Sequence, residues 1–236
     1  MSWFNNLKFR YKLILPIALL ALVLIGIATV STVNFKSVAN SVDEIASEHL
    51  PGLNFLLQAD RDLHQALVAE RTLLSVPPGS SKKQALIDTV NENLQQASQR
   101  VDRFLAITSS AEERQMVADF KKKNETWVAT TKRVIELHGQ NRVEEAISLS
   151  EQQSGPQFET MRDVLDQLEQ RKEEAALSQS DIIDEVISQS NWTEMVVLTV
   201  GLAICVLLAL FFPPLITRPL NLMLERFEDM ARAKEI

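Results

Sequence analysis

Residues 53–74 read LNFLLQADRDLHQALVAERTLL. Within this run Leu53, Leu56, Asp60, Leu63, Leu67, Glu70 and Leu74 recur at alternating intervals of three and four, which brings their side chains back to one stripe of an α-helix as a heptad seam. A second row, Leu50, Leu57, Arg61, His64, Val68, Arg71 and Ser75, is displaced by about one residue, or roughly 100° around the helix. One row can face a bundle and the other a partner.

The same period returns further along the chain. Ile87, Val90, Leu94, Ala97, Val101, Phe104 and Thr108 form a second seam, and Met116, Phe120, Trp127, Val134 and Leu137 lie on a third. Phe158, Met161, Leu165, Leu168, Ala175, Ile182 and Val186 lie on a fourth. With only 6 Gly, 8 Pro and 6% aromatic residues, the composition suits long helices better than a turn-rich sheet. The expected fold is all-α: an antiparallel four-helix bundle continuous with two transmembrane helices.

Punctuation agrees with this layout. Pro77-Pro78-Gly79 ends the first helix, while Ser81 with Gln84 and Ser110 with Glu113 have capping-box spacing for the second and third. Gly139 can close the third, Asn141 with Glu144 can cap a short helical piece, and Gly155-Pro156 is expected to break the chain before the fourth. Pro51-Gly52 falls inside the first long helix. The proline ring removes a donor and crowds the preceding turn, so a kink or short break is expected there.

Two uncharged runs flank the bundle. Leu13 to Val33 gives 21 residues and Met195 to Ile216 gives 22, each enough at about 1.5 Å per residue to cross a hydrocarbon core of roughly 30 Å. Lys8, Arg10 and Lys12 precede the first run and Arg218 follows the second, so the positive-inside rule places both termini in the cytoplasm and the intervening segment outside. Trp3, Phe4, Tyr11 and Trp192 suit interfacial belts. A cleaved signal peptide is the rival for the first run, but its apolar stretch exceeds an ordinary h-region and passes into helical pattern without a break. The expected organisation is a cytoplasmic N-terminus (1–12), a first span (13–33), an extracytoplasmic bundle (34–194), a second span (195–216) and a cytoplasmic relay helix (217–236).

Residues 34–194 carry 17 basic and 27 acidic side chains, a net −10, and the whole chain is at −7, which argues against a general nucleic-acid binder. The lone cysteine, Cys205, lies in an apolar run, so neither a disulfide nor a thiolate cluster can hold the bundle. His49, His64 and His138 include no pair at chelating helical spacing. Without a Gly-rich phosphate loop or a nucleophile elbow, the expectation is a protein that is not an enzyme and holds no metal and no cofactor. Trp127 and Phe120 could stack a ligand, but aromatic residues at seam positions are usually core.

After the second span comes Ile216-Thr217-Arg218-Pro219-Leu220, then Met223, Phe227 and Met230 at heptad spacing. This segment resembles the first helix of a HAMP relay module, with Pro219 set to open the helix. It departs from that pattern at Ala233, where a glycine often closes the helix. With Gln58 to Arg71 (QADRDLHQALVAER), which looks like a stretch recurrent in bacterial receptors, the chain resembles the N-terminal half of a methyl-accepting chemotaxis receptor. The resemblance implies a homodimer paired through helix one, with a small molecule or a periplasmic binding protein bound near that interface. It also implies an inner-membrane location, with lipid around both spans. A cytoplasmic kinase and coupling protein would be reached only through a C-terminal half beyond these 236 residues.

On that arrangement Arg61, His64 and Arg71 approach the two-fold axis as a cationic pocket for a small carboxylate, which arginine can grip bidentately. Asp60 and Glu70 would lie on the intrasubunit side. The plainer reading makes Asp60, Arg61, Asp62, Glu70 and Arg71 solvated or internal ion pairs that merely set the bundle's register. The same sensor architecture also precedes histidine kinases and diguanylate cyclases, and a passive adaptor that binds a partner protein is a further alternative.

Overall fold

The computed structural model describes the backbone of residues 9–232. All regular structure among them is helical: α1 (Phe9–Glu44), α2 (Leu50–Leu74), α3 (Lys82–Ile107), α4 (Ala111–Gly139), α5 (Val143–Leu149) and α6 (Gly155–Arg232). Two five-residue π-turns, Ile45–His49 and Ser150–Ser154, join α1 to α2 and α5 to α6. The chain divides into two compact units, Ala39–Ile182 and the described residues on either side of it.

Within Ala39–Ile182 the four seams close into one core. Leu56, Leu63 and Leu67 meet Val90, Ala97, Val101 and Phe104 of α3, Phe120 and Trp127 of α4, and Phe158, Met161, Leu165 and Leu168 of α6, all buried. Full burial of a side chain of this size stabilises the fold by about 1.5–3 kcal/mol. Ala59, Ala66 and Ala69 are buried beside the α2 seam, where small side chains let neighbouring helices approach closely. Val117, next to Met116, takes the buried α4 position, and Met116 packs at the margin. The α6 seam runs out after Lys172, since Ala175 is half-buried and Ile182 exposed. A satellite cluster of Val134, Leu137 and Ala146, with Leu74 and Leu149 against it, lies under α5.

A widened turn takes the place of a break at both prolines. The helix neither breaks at Pro51-Gly52 nor stops at Gly155-Pro156. Each proline instead stands two residues beyond a π-turn, in which Leu50 N–H bonds Ile45 O and Gly155 N–H bonds Ser150 O. A turn widened to i→i−5 holds one extra residue and relieves the crowding that a proline ring causes one turn back. Helical backbone therefore continues through both sites.

The helix starts divide. Ser110 caps α4, its Oγ accepting from Glu113 N–H at 3.3 Å. Ser81 makes no side-chain cap, and Ser80 Oγ accepts from Lys82 N–H instead. Asn141 does not cap α5 either: it sits at φ 64°, the left-handed turn that precedes the helix, and Arg142 occupies the cap position. His138 Nε2 lies 2.9 Å from Val76 O and ties the α2–α3 turn to α4.

In the other unit, α1 and α6 each contain a window of mean hydropathy 2.6 and 2.4 respectively, long and apolar enough to cross a membrane. Hydroxyls in these stretches are satisfied locally, as Thr29 and Thr199 donate to carbonyls four residues back. Ser31 Oγ donates to Glu194 Oε1 at 3.0 Å. Trp3, Phe4 and Lys8 fall outside the described residues. The α6 helix runs through Thr217–Leu220, so Pro219 lies in its interior rather than opening a new helix, because no turn precedes it. The side chains of Pro219 and Leu220 fall outside the described residues; Met223, Phe227 and Met230 are exposed.

Candidate functional site

The second row of α2 faces away from the core. Leu50, Leu57 and Val68 are 55%, 50% and 61% exposed, and Arg61 and His64 lie among them. Arg61 is tied to its sequence neighbour, with Nη2 donating to Asp62 Oδ1 at 2.7 Å and Nε to the same oxygen at 3.0 Å. Asp62 is fully buried and also accepts from Arg100 Nε at 2.5 Å. Its two cations keep the buried carboxylate compensated. His64 turns back toward Asp60, Nδ1 lying 3.1 Å from the Asp60 carbonyl, and its ring meets Phe158 edge-on at 4.9 Å.

Arg71 stands apart. Seven residues beyond His64, about 10 Å along the helix at 1.5 Å per residue, it lines a groove of about 450 Å³ with Leu74, Ser75, Ile147, Ser150 and Glu151. Its guanidinium makes no hydrogen bond or ion pair among the described residues. Within this chain the structure therefore brings Arg61 and His64 to one open face and places Arg71 in a separate groove.

Asp60 accepts from Arg162 Nε at 2.9 Å, and Arg162 Nη2 also lies 3.5 Å from Asp166. Glu169 follows on α6. Burial, and then the charges of Asp60 and Asp166, push its carboxyl up to about 7 against the opposing pull of Arg162.

Two buried polar clusters complete the picture. At the end where the chain enters and leaves the bundle, Lys172 Nζ is buried between Glu48 Oε1 at 2.7 Å and Glu113 Oε2 at 2.9 Å. It also sits 5.7 Å from the centre of the Phe104 ring. Burial raises the Glu48 carboxyl, but hydrogen bonds from Lys172 and Ser109 outweigh it and hold the group below its ordinary range. At the other end Glu70 is fully buried, with no cation on it among the described residues. Its oxygens accept from Thr131 Oγ1 at 2.5 Å, Ser150 Oγ at 2.6 Å and Ser154 Oγ at 3.0 Å. Ser154 also accepts from Trp127 Nε1 at 3.0 Å.

Glu70 thus lies inside the bundle, and its partners are hydroxyls rather than an arginine. Lys172 and Glu48 were not singled out by the pattern, and Glu113 only as the capping-box partner of Ser110, whereas its carboxylate faces Lys172. The available signal was the spacing of Leu165, Leu168, Lys172 and Ala175, which puts a lysine on the fourth seam.

The residues match one family over most of their length. The family described as a four helix bundle sensory module for signal transduction matches residues 6–185. The chain belongs to this family. The module is the sensory part of methyl-accepting chemotaxis receptors, and no catalytic domain is evident in this chain. No curated protein and no solved structure matches the chain.

Proposed function

We propose that the chain is the sensor portion of a chemotaxis transducer in the bacterial inner membrane. On this reading 13–33 and 195–216 span the bilayer, 34–194 is periplasmic, and 217–236 begins a HAMP relay. The receptor detects a small carboxylate and passes a displacement along α6 to the row of Pro219, Leu220, Met223, Phe227 and Met230. Arg61, His64 and Arg71 supply the cationic groups for the ligand. The ligand shifts α6 only as far as it prefers one arrangement of the helices over another.

The observation that carries this reading is the open face of α2. An apolar row half exposed in a protomer and studded with an arginine and a histidine suits burial against a second copy. An unbroken α6 from Gly155 to Arg232 supports transmission, since no flexible Gly/Ser linker interrupts it.

The test is cysteine crosslinking in membranes. His64→Cys should form a disulfide with its symmetry mate under mild oxidation, and Lys122→Cys on α4 should not. The reverse pattern would exclude an α2-paired dimer. Inserting two glycines between Ser190 and Asn191, in a receptor carrying a kinase-controlling cytoplasmic half, should abolish signalling while leaving ligand affinity nearly unchanged. Full signalling by that receptor would exclude transmission through a continuous helix.

A further inference from the structure

The short α5 helix is lightly held. It has seven residues, of which only Ala146 is buried, and it covers the satellite cluster rather than the main core. At its start stands Asn141 in the left-handed conformation; at its end stands the second π-turn. The left-handed residue and the widened turn mark the two points at which α5 joins its neighbours. The π-turn is fastened by one carboxylate, because Ser150 and Ser154 at its two ends both donate to Glu70.

The groove beside this turn has complementary walls. Arg71 is the cationic wall; its Nη2 lies 3.6 Å from where a Cβ would sit on Gly155. Leu74 of α2 and Ile147 of α5 give an apolar floor, and Glu151 of the π-turn is the anionic wall. Neither charged side chain is ion-paired among the described residues. About 450 Å³ is ample for a molecule of ten or so heavy atoms.

We propose that this groove is a within-protomer site for a small monocarboxylate with an apolar body, closed by α5 acting as a lid. The proposal rests on the carboxylate-sensor reading above and assigns Arg71 to its own site, away from the Arg61–His64 face. Arg71 takes the carboxylate in a bidentate pair, and the body lies on Leu74 and Ile147. Glu151 rejects a second negative charge, so a dicarboxylate of the same length is disfavoured. Occupancy draws α5 toward α2, and the π-turn, fixed to Glu70, carries that movement to the start of α6.

The full chain in lipid nanodiscs can be titrated by calorimetry with butyrate, benzoate and succinate at matched ionic strength. Either monocarboxylate should bind more tightly than succinate. Arg71→Ala should weaken that binding by about tenfold or more, the loss expected for one charge-assisted pair, with Arg71→Lys retaining part of it. Lys122→Ala, on the exposed face of α4, should leave it unchanged. Glu151→Gln should narrow the gap to succinate. Hydrogen exchange at 143–154 should slow on binding, which a merely structural role of Arg71 would not produce. Carboxylate binding that falls with Arg61→Ala but not with Arg71→Ala would overturn the groove and keep the sensor reading. Binding of no carboxylate to the wild-type chain would overturn both.

Discussion

The two ends of the bundle bury charge in opposite ways. At one end a lysine lies between two glutamates, so the cost of desolvation is offset by Coulomb attraction and by the reach of a long side chain. At the other the Glu70 carboxyl group lies among hydroxyls, with no counter-charge among the described residues, and is held by directed hydrogen bonds. Each cluster grips a π-turn: Glu48 belongs to the first, and Ser150 and Ser154 bound the second. The ionic end is set by charge. The hydroxyl end is set by geometry, because three short side chains reach one carboxylate only while the turn keeps its shape. The first should therefore depend on its cation, and the second on backbone register.

The largest expected effect comes from removing the lone cation. Lys172→Met strands Glu48 and Glu113 in the interior and should cost about 3–5 kcal/mol, the usual penalty for an uncompensated buried charge. Thermal unfolding of the full chain in detergent would show it, and an unchanged melting temperature would mean that water reaches the cluster. Thr131→Val removes one of three donors from Glu70 and should cost less, about 1–3 kcal/mol. If it costs as much as Lys172→Met, the contrast between the two ends fails.

Acidity sharpens the comparison. Glu48 is held below its ordinary value of 4.5, so it adds stability that is complete above that pH and is lost as pH falls through the lower folded value. Glu169 has the opposite sign. With its folded value at about 7 and an unfolded value of 4.5, the folded state keeps its proton longer, so stability declines as pH rises between these values and then levels off. Glu169→Gln should remove that decline, and melting temperatures measured from pH 4.5 to 8 should diverge from wild type toward the upper end. Parallel curves would show that Glu169 is solvated in the fold. The smallest effect is expected at the α4 cap, where Ser110→Ala should cost about 1 kcal/mol.

The heptad arithmetic reads the bundle well because burial and helical period are the same fact seen twice. Leu56, Leu63, Phe104, Trp127 and Leu165 lie where the 3–4 spacing puts them. It fails where a local rule competes with the backbone's ability to stretch. Pro51 and Pro156 signal trouble correctly, yet the chain answers with a wide turn instead of a break, and no side-chain pattern distinguishes the two outcomes. Ser81 fails as a cap because Ser80 supplies the oxygen first. At the site, the sequence places Arg61, His64 and Arg71 on one face, but not the prior commitment of Arg61 to Asp62. It is equally silent on the groove that α5 forms around Arg71, because that groove is made by residues about seventy-five positions away. Charges in the interior were the hardest to read: Glu70 stands on a seam like any leucine, and only the three hydroxyls arriving from α4 and the second π-turn explain how it can.

The extra residue in each π-turn also changes how this sensor can be grafted. Joining its bundle to a foreign anchor or output segment is usually planned by counting heptads through the junction. Across Ile45–His49 or Ser150–Ser154 such a count runs one position out of step and turns every face downstream by about 100°. Phase must be restarted at Leu50 and at Gly155. Trimming one residue from either turn, rather than avoiding it, offers a way to reset a mismatched splice.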